Sequence, residues 1–103
     1  MNMSRAKRTK QFRDRLEKEC ARKFWSFITE NLDKQLDWWR ISENPNITWD
    51  IIKENMDLPW DWIGISRNPN ITMDIIKENL DKPWDYDYIS KNPNITWDII
   101  KDN

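Results

Sequence analysis

The sequence contains no histidine, one cysteine and one glycine in 103 residues. Without histidine there is no His-based triad, no imidazole metal ligand and no imidazole general base. One cysteine, Cys20, makes neither an internal disulfide nor a thiolate zinc site, which agrees with a reducing compartment. One glycine, Gly64, leaves no Gly-rich loop to cradle a phosphate. No apolar run approaches the roughly 18 residues of a transmembrane helix. The basic start, Met1 to Lys10, is not followed by the apolar region of a signal peptide. These absences lead to the expectation of a non-enzymatic intracellular protein with no membrane segment, no cofactor, no metal and no small-molecule ligand. Acidic residues are plentiful, but they recur where helices start, and capping explains most of them. A two-carboxylate enzyme and an acidic cation site stay as formal alternatives.

What the chain does have is a stretch written three times. Asn44-Pro45-Asn46-Ile47-Thr48-Trp49-Asp50-Ile51-Ile52-Lys53 returns after 24 residues as Asn68 to Lys77, with Met73 for the Trp, and again as Asn92 to Lys101. Phe24 to Asn31 aligns with Thr48 to Asn55 at the same step, and Asp37-Trp38 aligns with Asp61-Trp62. The chain therefore divides into a basic arm, 1–23, and a repeat domain, 24–103. Within the domain lie a degenerate unit (24–43), two full units (44–67 and 68–91) and a half unit (92–103).

Charge follows the same division. Residues 1–23 carry nine Lys or Arg against three acidic residues, a net +6, and residues 24–103 carry a net −7. With no Gly or Pro before Asn44, nothing interrupts a helix there. Phe12, Leu16, Cys20, Phe24 and Phe27 recur at spacings of four and three, one stripe of a helix. The reading is one long helix from about Ser4 to Asn31, with Ser4 as N-cap and Cys20 as a small core residue. Arg13–Glu17, Asp14–Lys18 and Arg15–Glu19 are spaced as i,i+4 ion pairs.

Each full unit reads as two short helices. Thr48 caps the first, and Asn55 ends it in the left-handed conformation of a C-terminal cap. Pro59 and Pro83 start the second, with Asp57 and Asp81 as caps and Asp61 and Asp85 in the first turn. The Asn-Pro pairs mark turns between units. Ile47, Trp49 and Ile51 also alternate as in a strand, and the period suits leucine-rich repeats. The Leu-x-x-Leu-x-Leu pattern is absent, however, and the degenerate unit merges into a helical stripe. The expected fold is all-α, a short α-solenoid of 24-residue helical-pair repeats preceded by a long basic helix.

The words Asn-Pro-Asn-Ile-Thr-Trp and Pro-Trp-Asp-Trp resemble a tandem-repeat family found in proteins of giant DNA viruses. Its unit looks like Asn-Pro-Asn-Ile-Thr-Trp-Glu-Ile-Ile followed by Asp-Lys-Pro-Trp-Asp-Trp. The resemblance covers about residues 41–103 and, faintly, 24–40. Met56 and Leu80 stand where that pattern often has Pro, which should lengthen the first helix. The resemblance implies a viral setting, host cytoplasm or virion, and no particular activity.

Two partner classes follow. The first is a protein partner or self-association, with a structural or interaction role. Its candidate surface is formed where the repeat varies, at Trp39, Ile63 and Asp87 and at Arg40, Gly64 and Tyr88. The apolar side of the last half unit, Trp97, Ile99 and Ile100, adds to it because solenoid ends need covering. The second is nucleic acid, held at its phosphates by Arg5, Lys7, Arg8, Lys10, Arg13, Arg15, Lys18 and Arg22. The same cations would serve an acidic protein neighbour, and a solvated helix face is the plainer account of them. The recurring tryptophans read as core. Asn46, Asn70 and Asn94 open Asn-x-Thr triplets, which read as turn and cap rather than as glycan acceptors.

Overall fold

The computed structural model describes residues 4–95 of the chain. Every regular element among them is helical: α1 (Arg5–Glu30), α2 (Trp38–Glu43), α3 (Trp49–Glu54), α4 (Trp62–Arg67), α5 (Met73–Glu78) and α6 (Tyr86–Ile89). The strand alternative is thereby excluded for the described repeats. The chain forms two compact units, 1–35 and 36–103.

The first unit is dominated by α1. Ser4 accepts from the Lys7 N–H at 3.1 Å and starts the helix as expected. Its end coincides with the repeat register, since α1, α3 and α5 stop at Glu30, Glu54 and Glu78. In each case the next Asn turns its side-chain amide back onto the helix. Asn31 Nδ2 donates to Phe27 O, Asn55 Nδ2 to Ile51 O and Asn79 Nδ2 to Ile75 O, at 2.7–2.8 Å. This corrects the expected left-handed cap: Asn55 has φ −132°, and no described residue has positive φ. The side chain fills an orphan carbonyl, so the backbone need not reverse its hand.

The stripe of α1 is not buried as expected. Phe12, Leu16 and Phe27 are 63%, 53% and 59% exposed, and Cys20 is exposed. Ile28 is the buried residue of this helix. A spaced stripe is buried only where another element lies over it, and periodicity alone does not supply that element. The ion pair on α1 is Arg22–Glu19, not the three i,i+4 pairs.

In the second unit the 24-residue step becomes a step in space. Thr48 and Thr72 cap α3 and α5, accepting from Ile51 N and Ile75 N. The second helices begin later than expected. Asp37, Asp61 and Asp85 are their N-caps, so Pro59 and Pro83 are not N1 residues and Asp57 and Asp81 do not cap. Instead each proline is bridged by a tight turn, Trp60 N to Leu58 O at 2.8 Å and Trp84 N to Lys82 O at 2.9 Å. Pro supplies the φ such a turn needs. The turn aims Trp60 and Trp84 inward, where their indole N–H groups donate to Asn55 O and Asn79 O. Met56 and Leu80 fall in the turns after α3 and α5.

Helices of six residues have no independent stability, so packing must hold them. Ile47, Ile52, Ile65 and Ile71 have no exposed surface, and Trp60 and Trp84 are buried. Trp38 meets Trp60 edge-on at 5.3 Å, and Trp62 meets Trp84 edge-on at 5.1 Å, one step further along. α2 packs on α4, and α4 on α6.

The Asn-Pro-Asn words bond one unit to the next. Pro45 has no N–H for the carbonyl three residues back, at Ser42. The next N–H, of Asn46, is taken by Asn44 Oδ1 at 2.8 Å. The Ser42 carbonyl is filled from the following unit by Asn68 Nδ2 at 2.9 Å, and the same amide reaches Asn44 O and Ile47 O. Asn70 Nδ2 adds bonds to Pro45 O and Ile47 O. One step on, Asn92 Nδ2 bonds Ser66 O and Asn68 O, and Asn94 Nδ2 bonds Pro69 O and Ile71 O. Ser42 and Ser66 lend their hydroxyls to Asp61 N and Asp85 N. The triplets Asn46-x-Thr and Asn70-x-Thr are thus turn and cap.

Candidate interaction surface

The side chains that differ between units gather on the second helices. Trp39, Ile63 and Asp87 occupy one repeat position; Arg40, Gly64 and Tyr88 the next; and Glu43, Arg67 and Lys91 a third, at the last residue of α2 and of α4 and two residues past α6. The third row escaped the sequence reading. Its variation was visible, but each of its residues stands beside the Asn-Pro turn and passed as a flank of the framework.

The structure brings together Trp39, Arg67 and Tyr88. The Arg67 guanidinium lies 5.3 Å from the Trp39 ring centroid and 5.2 Å from that of Tyr88, within cation–π range of both. Lys91 Nζ stands 5.6 Å from the Tyr88 ring centroid. Glu43 Oε2 faces Arg67 Nε at 3.6 Å, an ion pair too long for a hydrogen bond. Two clefts share Arg67 as a common wall. One, of about 600 Å³, is bounded by Trp39, Arg40, Glu43 and Pro45. The other, of about 410 Å³, is bounded by Tyr88, Lys91 and Pro93.

The other expected residues of this surface separate. Ile63 is 41% exposed, and Asp87 is exposed. Arg40 is exposed and paired with Asp37 at 3.4 Å. Gly64 belongs to the frame: a Cβ there would stand 2.5 Å from Trp39 O and 2.9 Å from Ser42 Cβ. Only glycine lets α4 approach α2 this closely. Trp97, Ile99 and Ile100 lie outside the described residues.

On α1, Arg5, Lys7, Arg8, Lys10, Arg13, Arg15, Lys18 and Arg22 are all exposed. Arg22 alone among them has an ion-pair partner among the described residues. Its hydrogen bond holds the Glu19 carboxyl below its ordinary pKa, and Glu19 in turn raises that of Arg22.

Among the described residues no group of three or more His, Cys, Asp or Glu side chains could hold a metal ion. No helix among them is long and apolar enough to cross a membrane. Compared with family models, with curated proteins and with solved structures, the chain matches none.

Proposed function

We propose that the chain is a non-enzymatic structural or protein-interaction module, a short α-solenoid whose frame is fixed and whose second helices meet a partner protein. One observation carries this reading. The repeated residues are consumed internally, as caps, cross-unit bonds and core, whereas the side chains of Trp39, Ile63, Arg67, Tyr88 and Lys91 make none of the frame's hydrogen bonds among the described residues. The resemblance to repeats of giant DNA virus proteins supports a place in a viral assembly, in host cytoplasm or virion. Site-specific photo-crosslinking from position 63, with position 53 on α3 as control, tests it in the organism that makes the chain. A single protein crosslinked from 63 and not from 53 is expected. Equal labelling from both positions would overturn the assignment of this face.

A second reading, nucleic-acid association through α1, is favoured by the unpaired exposed cations from Arg5 to Lys18. Binding to DNA that falls steeply with salt and disappears when residues 1–13 are removed would establish it. No binding at low salt would remove it.

A further inference from the structure

We propose that the two clefts flanking Arg67 hold an acidic, extended segment of the partner protein. The inference rests on the interaction reading above and adds the chemistry of the partner.

Arg67 is held but unspent. The Trp39 and Tyr88 rings flank the Arg67 guanidinium, with centroids 5.3 and 5.2 Å from its carbon. Glu43 approaches it at 3.6 Å without a hydrogen bond, so the five N–H donors remain available for a bidentate carboxylate. Lys91, beyond Tyr88, has no ion-pair partner among the described residues. Arg40 stands at the far wall of the other cleft. Arg40 on α2, with Asp37 as its ion-pair partner, Arg67 on α4 and Lys91 two residues past α6 thus bring one cation from each of three successive repeat units. Packed helices lie about 8–10 Å apart. An extended chain rises about 3.3 Å per residue, so every third residue of such a segment comes level with the next cation.

The segment is protein rather than nucleic acid, because a continuous phosphate chain carries charge past the few cations of the clefts into the field of a body of net −7, whereas a short peptide confines its carboxylates to those cations. It comes from another protein rather than a second copy. No three acidic residues of this sequence stand at the i, i+3, i+6 spacing that the clefts call for, and Asp37, Asp61 and Asp85 are committed to helix caps.

Calorimetry on the full chain tests this with three probes. They are a seven-residue Gly/Ser peptide with Glu at its first, fourth and seventh positions, its Gln counterpart, and an oligothymidylate. The Glu peptide should bind, and the Gln peptide should bind at least about tenfold more weakly, the difference a charge-assisted bond makes. Arg67→Ala should weaken the Glu peptide by about tenfold or more, and Arg67→Lys by less, since it keeps the charge and loses the planar fork. Lys77→Ala removes the same charge from α5, away from the clefts, and should leave binding unchanged. A thermal melt confirms that each variant is folded. Glu-peptide binding that a folded Arg67→Ala retains is binding elsewhere, and overturns the proposal. So does equal binding of the Gln peptide, no binding by the wild type, or oligothymidylate binding that depends on Arg67. If the peptide fails while position 63 still crosslinks one protein, the acidic segment is wrong and the interaction reading stands. If both fail, that reading falls too.

Discussion

Replacing Asn68 by Ala should be the most damaging truncation of a polar side chain in the described chain. Asn68 has no exposed surface. Its amide bonds Ser42 O, Asn44 O and Ile47 O, and its Oδ1 accepts from Asn70 N at 2.8 Å. Two of these partners have a second bond, Asn44 O from Ile47 N and Ile47 O from Asn70 Nδ2. Ser42 O and Asn70 N have none among the described residues, so Asn68→Ala leaves two polar groups unpaired, the first buried and the second partly buried. At about 1–3 kcal/mol each, the cost centres on about 3–4 kcal/mol. For a domain of this size that lowers the melting temperature by roughly 12–32 °C. Asn44→Ala is the internal control. Asn44 makes the same turn to Asn46 N, but its amide reaches no other unit among the described residues. Its loss should cost about 1 kcal/mol. Asn68→Asp adds a pH signature. Burial beside three carbonyl oxygens raises that carboxyl's pKa above its unfolded value near 3.9, so the variant is most stable below that pH and loses stability as pH rises through and beyond it. Thermal melts by circular dichroism at pH 7 and pH 3 read all three variants. Equal melting of Asn68→Ala and Asn44→Ala would refute the cross-unit ladder.

Three further outcomes follow from named contacts. Gly64→Ala should destabilise by about 1–3 kcal/mol in urea unfolding, because the added methyl meets the backbone of α2. Trp84→Ala should cost about 3–5 kcal/mol by the same assay, since it removes a buried ring, its contact with Trp62 and its bond to Asn79 O. Arg22→Ala should return the Glu19 carboxyl toward its ordinary titration range by NMR, and α1 should lose the support of this pair as pH falls through the depressed Glu19 pKa.

The helices were legible because their signals are local. Ser4, Thr48 and Thr72 cap where hydroxyls before apolar runs should, and the 24-residue period places the ends of α1, α3 and α5 and of α2 and α4, while α6 stops two residues short of it at Ile89. The second helices start later than the prolines suggest, because Pro fits a tight turn as well as a first helical position, and only the inward path of Trp60 and Trp84 decides between them. The ladder is non-local: nothing within one Asn-Pro-Asn says that its amide will serve a carbonyl 26 residues earlier. Cys20 and Phe12 lie on a true helical stripe, yet periodicity reports a face and not a neighbour to cover it. Arg67 was overlooked because each flank of a repeated word looks like framework until Trp39 and Tyr88 close on it from different units. Gly64 was read as a free position, although its value lies in the side chain it lacks.

Arg67 and Asn68 are neighbours in sequence and opposites in this account, one serving a partner and the other the frame. The most direct test is to measure melting temperature and Glu-peptide binding on Arg67→Ala and Asn68→Ala side by side. Arg67→Ala removes exposed cation–π and ion-pair contacts worth about 1 kcal/mol, so it should melt within roughly 4–8 °C of the wild type and lose the peptide. Asn68→Ala should fall by roughly 12 °C or more. An Arg67→Ala protein that melts as low as Asn68→Ala, or that still binds the peptide, would contradict the division of frame from surface.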